Sequence, residues 1–282
     1  MWNRGAENFI GCDTPYDEAK TVIFGAPFDS TASYRPGARF GSRAIRAESY
    51  GIETYSPYLD RDLTDIAVFD GGELELCIGD AGIALAQIED CAEEILREGK
   101  RPVMLGGEHL VTLGALRALA RRSPDLHIIH FDAHADLRDE YLGAKLSHAT
   151  VMRRAWELLG DGRIHQFGIR SGERDEFAFA AAHTALRKFG FGGLTETVKA
   201  LKDKSVYFTF DLDVLDPSIF PGTGTPEAGG VDFSALLAAI LTIAPLNIVG
   251  LDMVELAPSL DHSGVSTAVA CKLLREILLA IG

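Results

Sequence analysis

Along the chain, short apolar runs alternate with longer stretches in which apolar residues recur at every third and fourth position. TVIFG (21–25), IAVFD (66–70), PVMLGG (102–107), LHIIHFD (126–132), RIHQFGI (163–169), SVYFTFD (205–211) and NIVGLD (247–252) have the length and continuous apolarity of buried strands. Between them, DAGIALAQIEDCAEEILREG and HLVTLGALRALARR carry the helical period. A strand apolar on both faces must be covered on both, so the alternation predicts an α/β fold with a parallel sheet between helical layers. No Pro-, Gly- or Ser-rich linker, low-complexity tract or internal repeat interrupts it, and a single domain over residues 1–282 is expected. FSALLAAILTIAPLNIVGL (233–251) is about long enough to span a bilayer. Pro245 and Asn247 divide it, however, and it reads as a helix followed by a buried strand.

Polar residues cluster just past the ends of three strands. GGEH follows VML, DAHAD follows IIHF, and DLDVLDP follows YFTF. Ligands of open α/β sheets bind beyond the carboxyl ends of the strands, so these endings are expected to converge on one site.

In Asp132-Ala-His134-Ala-Asp136, three candidate ligands lie within five residues. Carboxylate oxygens with imidazole nitrogens suit Mn, Zn, Fe or Co, and placing such groups near a core without a cation is costly. The alternative is a capped turn opened by Asp136. Asp211 and Asp213 share a strand face and repel unless a cation neutralises them. The same DLDV segment also fits the DxDx[TV] pattern of haloacid-dehalogenase-type phosphotransferases, with Asp211 as the phosphorylated nucleophile. Asp216, before Pro217, reads as a turn residue. The paired glycines of GGEH allow a tight turn, and His109 would project into the crevice; neither a phosphate loop nor a dinucleotide fingerprint is present. Together the three endings supply His109, Asp132, His134, Asp136, Asp211 and Asp213. Four carboxylates and two imidazoles exceed one tetrahedral ion but fit two ions that share bridging carboxylates.

Composition narrows the partners. A chain of 282 residues can bury roughly three quarters of its unfolded surface. With 41 acidic against 27 basic residues the net charge is -14, which argues against nucleic acid or an anionic membrane and suits a cationic substrate, a metal or plain solubility. Cys12, Cys77, Cys91 and Cys271 share no CxxC spacing and read as reduced packing residues. The N-terminal segment lacks a basic-then-apolar leader pattern, so a cytoplasmic location is expected.

With these residues lined up, the chain resembles the ureohydrolase family of arginases and agmatinases, and within it the bacterial agmatinases. SYRPGARFGSRAIR (33–46), GGEH (106–109), FDAHADLR (131–138), SHAT (147–150), FDLDVLDPSIFPGTGTPEAGG (210–230) and GLDMVELAP (250–258) occur in the family's order. A phosphotransferase reading accounts for only one of them.

The resemblance implies a three-layer α/β/α sandwich with a mostly parallel sheet of about eight strands and two Mn²⁺ per subunit. One ion would be held by His109, Asp132, Asp136 and Asp211, the other by Asp132, His134, Asp211 and Asp213. Glu255 would pair with the substrate guanidinium, and His148 would shuttle protons, although Ala149 follows it where many relatives carry glycine. Asp213 or His148 would protonate the departing amine. His130 has no liganding counterpart and reads as a core histidine or a support for a ligand. The implied reaction is hydrolysis of agmatine to putrescine and urea, a step of polyamine biosynthesis, by attack of a hydroxide bridging the metals. Guanidinobutyrate, arginine or aminopropylagmatine are the related substrates, and a metal-binding protein without turnover is the non-enzymatic alternative. In LRDEYLGAKLSH (137–148), Asp139 and Glu140 would favour a cationic tail, Arg138 and Lys145 a carboxylate. By the same resemblance the partners are a small cationic guanidine and further copies of the chain, in a homotrimer or homohexamer.

Overall fold

The computed structural model describes residues 8–282; residues 1–7, the start of the segment read for a leader, lie outside the described part. Among the described residues ten strands form: β1 (Thr21–Ala26), β2 (Tyr55–Ser56), β3 (Arg61–Asp62), β4 (Val68–Glu73), β5 (Arg101–Gly106), β6 (Leu126–Phe131), β7 (Ile164–Ile169), β8 (Ala185–Lys188), β9 (Ser205–Asp211) and β10 (Asn247–Val254). Eight of them make one sheet in the order β4-β1-β5-β10-β9-β6-β7-β8, with every neighbouring pair parallel. β2 and β3 pair separately as an antiparallel ribbon.

The helices are α1 (Gly41–Glu48), α2 (Ala81–Arg97), α3 (Thr112–Arg122), α4 (Val151–Leu159), α5 (Arg174–His183), α6 (Leu194–Ala200), α7 (Phe233–Ile243) and α8 (Val265–Ile281). Strand side chains alternate between two cores. Val206, Phe208 and Phe210 of β9 pack with α6, α7 and α8, whereas Tyr207 joins α2, α3 and α4 on the opposite face. The divided stretch 233–251 becomes α7 and then β10, and no helix among the described residues is long and apolar enough to cross a membrane.

β8 has no counterpart among the apolar runs. It is one of the sheet's two edge strands, and its residues are half-buried or exposed, so hydrophobicity does not mark it.

The last arginine of SYRPGARFGSRAIR is structural. Arg46 on α1 meets Asp70 on β4 through Nε–Oδ2 and Nη2–Oδ1 contacts of 2.9 Å each, and Asp70 also accepts from the backbone of Phe9 and Gly72. Both side chains are buried. Asp70→Ala strands the guanidinium without its charge partner and is expected to cost about 3–5 kcal/mol in denaturant unfolding. A variant with an unchanged midpoint would contradict this assignment.

Candidate metal centre

The three polar strand endings meet at the carboxyl edge of the sheet. β5 passes through Gly106 and Gly107 into a 3₁₀ turn that starts at His109. Gly107 is required by close approach, since a Cβ there would collide with the carbonyl of Phe28. β6 ends at Phe131, so strict alternation stops before Asp132. Ala133 and Ala135 are buried under the turn that follows, which explains the small residues between the polar ones. Asp136 takes a left-handed backbone, φ 53°, and turns its carboxylate back toward His109. Asp211 closes β9, and its Oδ1 accepts from the backbone of Asp213 at 2.8 Å.

His109 Nδ1 is buried and has no hydrogen-bond partner, yet it stands 3.0 Å from Asp132 Oδ2, 3.2 Å from Asp136 Oδ2 and 3.3 Å from Asp211 Oδ2. Beside it, His134 Nδ1 lies 2.9 Å from Asp213 Oδ2 and 3.5 Å from Asp132 Oδ1. The two oxygens of Asp132 thus face the two imidazoles, and Asp132, His134 and Asp213 offer ligand atoms close enough to share one ion. Asp132 and Asp213 are at most 1% exposed. Burial together with Asp213 and Asp132 raises the pKa of Asp211 well above the carboxylate range. His109 is raised too, because its three aspartates outweigh the burial that opposes its charge. So many buried carboxylates around one lone pair fit a divalent cation or two and are poorly served by protons.

One layer below the ligands, sheet register aligns Asp252, Thr209, His130 and Gln166 on neighbouring strands β10, β9, β6 and β7. Thr209 Oγ1 donates to Asp252 Oδ1 at 2.7 Å, and Tyr207 OH donates to Asp252 Oδ2 at 2.6 Å. Having given its proton to Asp252, Thr209 accepts from His109 Nε2, 2.9 Å away, which leaves the lone pair of His109 on Nδ1. His130 is held likewise. Gln166 Nε2 lies 3.1 Å from its Nδ1, and its Nε2 donates to Asp132 Oδ2 at 2.7 Å. His130 thus links Gln166 to Asp132. Neither Thr209 nor Asp252 stands out in sequence; a hydroxyl two residues before Asp211 is the available signal. Thr209→Val is expected to weaken metal binding about 10- to 100-fold. Equilibrium dialysis would check it, and unchanged affinity would contradict the role.

The cluster forms the floor of a cleft of about 330 Å³, lined on its walls by Ser33, Arg138, Tyr141, His148, Glu173 and Glu255. Glu255 follows β10 in a left-handed conformation, φ 69°, and its Oε1 accepts from the backbone of His109 at 2.7 Å. Burial, then the neighbouring Glu108, raises its pKa well above normal. His148 opens a 3₁₀ turn capped by Ser147, and its side chain lines the cleft; burial lowers its pKa. Asp216 accepts from Ser218, Gly229 and Gly230 and is a turn residue as expected. Asp139 pairs with Arg154 at 2.7 Å, and among the charged residues of 138–145 only Arg138 lines the cleft, which leaves Asp139, Glu140 and Lys145 outside it.

The model of the arginase family fits residues 19–280, and the chain belongs to that family. The agmatinase of Bacillus subtilis is 46% identical over 275 residues, 96% of this chain and 95% of that protein. Among solved structures, the agmatine ureohydrolase of Thermoplasma volcanium superposes with a TM-score of 0.89 at 34% identity, covering 99% of this chain and 95% of the other. The proclavaminate amidino hydrolase of Streptomyces clavuligerus gives 0.88 at 30% identity, covering 99% and 97%. Family membership across nearly the whole chain leaves the phosphotransferase alternative, which explains Asp211 and Asp213 alone, without support.

Proposed function

We propose that this protein hydrolyses the guanidinium of agmatine to urea and putrescine at a binuclear Mn²⁺ centre. The observation that carries the reading is the unpartnered Nδ1 of His109 among three aspartate oxygens on the floor of a cleft that also holds Glu255. The agmatinases among the relatives supply the substrate. His109, Asp132, Asp136 and Asp211 would hold one ion, and Asp132, His134, Asp211 and Asp213 the other. When bound, such ions lower the pKa of water and act as Lewis acids toward the substrate.

The chain's own residues do the rest. Glu255 takes the planar guanidinium by charge-assisted hydrogen bonds, with one oxygen already fixed by His109 N. Water adds to the guanidinium carbon, the bond from that carbon to the alkyl-bearing nitrogen breaks, and this nitrogen leaves after accepting a proton from His148 or Asp213. At the mouth of the cleft Arg138 stacks over Tyr141 at 4.7 Å and pairs with Glu173 at 3.2 Å, with Glu176 close by. Two acids against one base favour a substrate tail ending in ammonium over one ending in carboxylate.

The experiment is urea release with Mn²⁺ across agmatine, arginine, 4-guanidinobutyrate and aminopropylagmatine, where agmatine is expected to give the highest kcat/KM. Failure of agmatine beside rapid turnover of another guanidine would overturn the substrate and keep the chemistry. In keeping with the family resemblance, we expect a trimer or hexamer by light scattering.

A further inference from the structure

Glu108 is a buried carboxylate that the proposed reaction does not use. It is 1% exposed, and its hydrogen bonds all run to Thr31: Oε2 accepts from Thr31 N at 3.0 Å, and Oε1 accepts from Thr31 Oγ1 at 2.6 Å. The loop after β1 is laid directly on this turn, for Glu108 N also donates to Phe28 O at 2.8 Å. Burying a carboxyl group is costly, and an apolar side chain would serve to pack two loops together, so a hydrogen-bonding group here calls for a reason.

The reason lies in the direction of the bonds. A hydroxyl has one proton, and the short contact commits that of Thr31 to Glu108. Toward everything else Thr31 Oγ1 is an acceptor. What it faces is His148: the backbone N–H of His148 donates to it at 3.1 Å, and the ring Nδ1 stands 3.5 Å away. The far ring nitrogen, Nε2, lies 3.2 Å from Ser33 Oγ, and Tyr141 packs edge-on against the ring at 5.7 Å. Loops that follow β5, β1 and β6 are thereby joined in the order Glu108, Thr31, His148.

We propose that Glu108, acting through Thr31, is a positioning residue that holds His148 over the cleft. The proposal rests on the reading of His148 as the group that carries a proton to the departing amine. With Glu108 fixing the hydroxyl as an acceptor, the 3₁₀ turn at 148 is anchored by its first N–H, and the ring lies between Ser33 and Tyr141, with Ser147 Oγ 3.4 Å from its Nδ1.

The test compares Thr31→Val, Thr31→Ser, His148→Ala and the double variant Thr31→Val/His148→Ala, each loaded with Mn²⁺, with agmatine as substrate and bound metal measured alongside. Thr31→Val is expected to lower kcat about 10-fold with KM and metal content little changed, a fraction of what proton transfer contributes. Thr31→Ser restores kcat, exogenous imidazole partly rescues Thr31→Val and His148→Ala alike, and the double variant is no slower than His148→Ala alone. Additive losses in the double variant, or a Thr31→Val defect seen only in KM or metal content, would overturn the proposal while leaving His148 its role. A fully active His148→Ala would instead remove the reading on which it stands. If Thr31→Val fails to fold, Glu108→Gln is read by the same kcat, rescue and non-additivity measurements, with the same results sinking the idea.

Discussion

Asp213→Ala is expected to abolish urea release, by at least about 10³-fold, while the protein remains folded and retains part of its metal. Asp213 is the carboxylate that faces His134, at 2.9 Å, and its other oxygen accepts from the backbone of Ala133 at 3.1 Å. Without it, a second ion would keep only His134 and the carboxylates of Asp132 and Asp211, a set with too little charge and too loose a geometry. An ion at His109 would still have Asp136 as a ligand and should persist. The fold should persist because the substitution also removes one member of a crowded set of buried like charges. Metal analysis beside circular dichroism checks this. Full activity with two ions retained would remove Asp213 from the centre.

Glu255 gives the second large effect. Glu255→Gln preserves an oxygen for the backbone of His109 but removes the charge that meets a guanidinium, and breaking such a buried pair costs about 2–5 kcal/mol. A fall in kcat/KM of roughly 10²- to 10³-fold with unchanged metal content is the expected outcome. Glu255 is also one of the non-glycine residues held at positive φ. Glu255→Gly relieves that conformation but leaves the buried His109 N–H without its acceptor, so it is expected to lose activity with little net change of stability in denaturant titration. A Glu255→Gly protein that is active, or markedly less stable, would contradict this account of why the strain is kept.

What could be read beforehand follows from burial. β1, β5, β6, β7, β9 and β10 announced themselves because interior strands of a parallel sheet are apolar on both faces. The Ala185–Lys188 strand did not, since its residues are half-buried or exposed, unlike those of the other edge strand, β4, and the Tyr55–Ser56 and Arg61–Asp62 ribbon is too short to show a period. The ligand candidates were legible because carboxylates and imidazoles crowded at the ends of apolar runs are costly to bury unless a cation neutralises them. Their supports were not. Thr209 becomes an acceptor for His109 only because register sets it beside Asp252, a pairing between strands that are separated in sequence by α7 and its flanking loops. The same holds for Glu108, whose partner Thr31 comes from the loop after β1. The positive φ of Asp136 and Glu255 is equally invisible in a one-dimensional pattern, because tertiary bonds impose it on residues that adopt it far less readily than glycine. Charge content misled in one place: Asp139 was a plausible counter-ion for a substrate tail until the fold paired it with Arg154.

The central claim is that two ions held by one His–Asp cluster enable this chain to hydrolyse agmatine. Metal-stripped protein titrated with Mn²⁺, with urea release from agmatine and bound metal followed together, tests it most directly. The account predicts no turnover without metal and a plateau at two ions per chain. Full urea release from the stripped protein, or none with both ions bound, would contradict it.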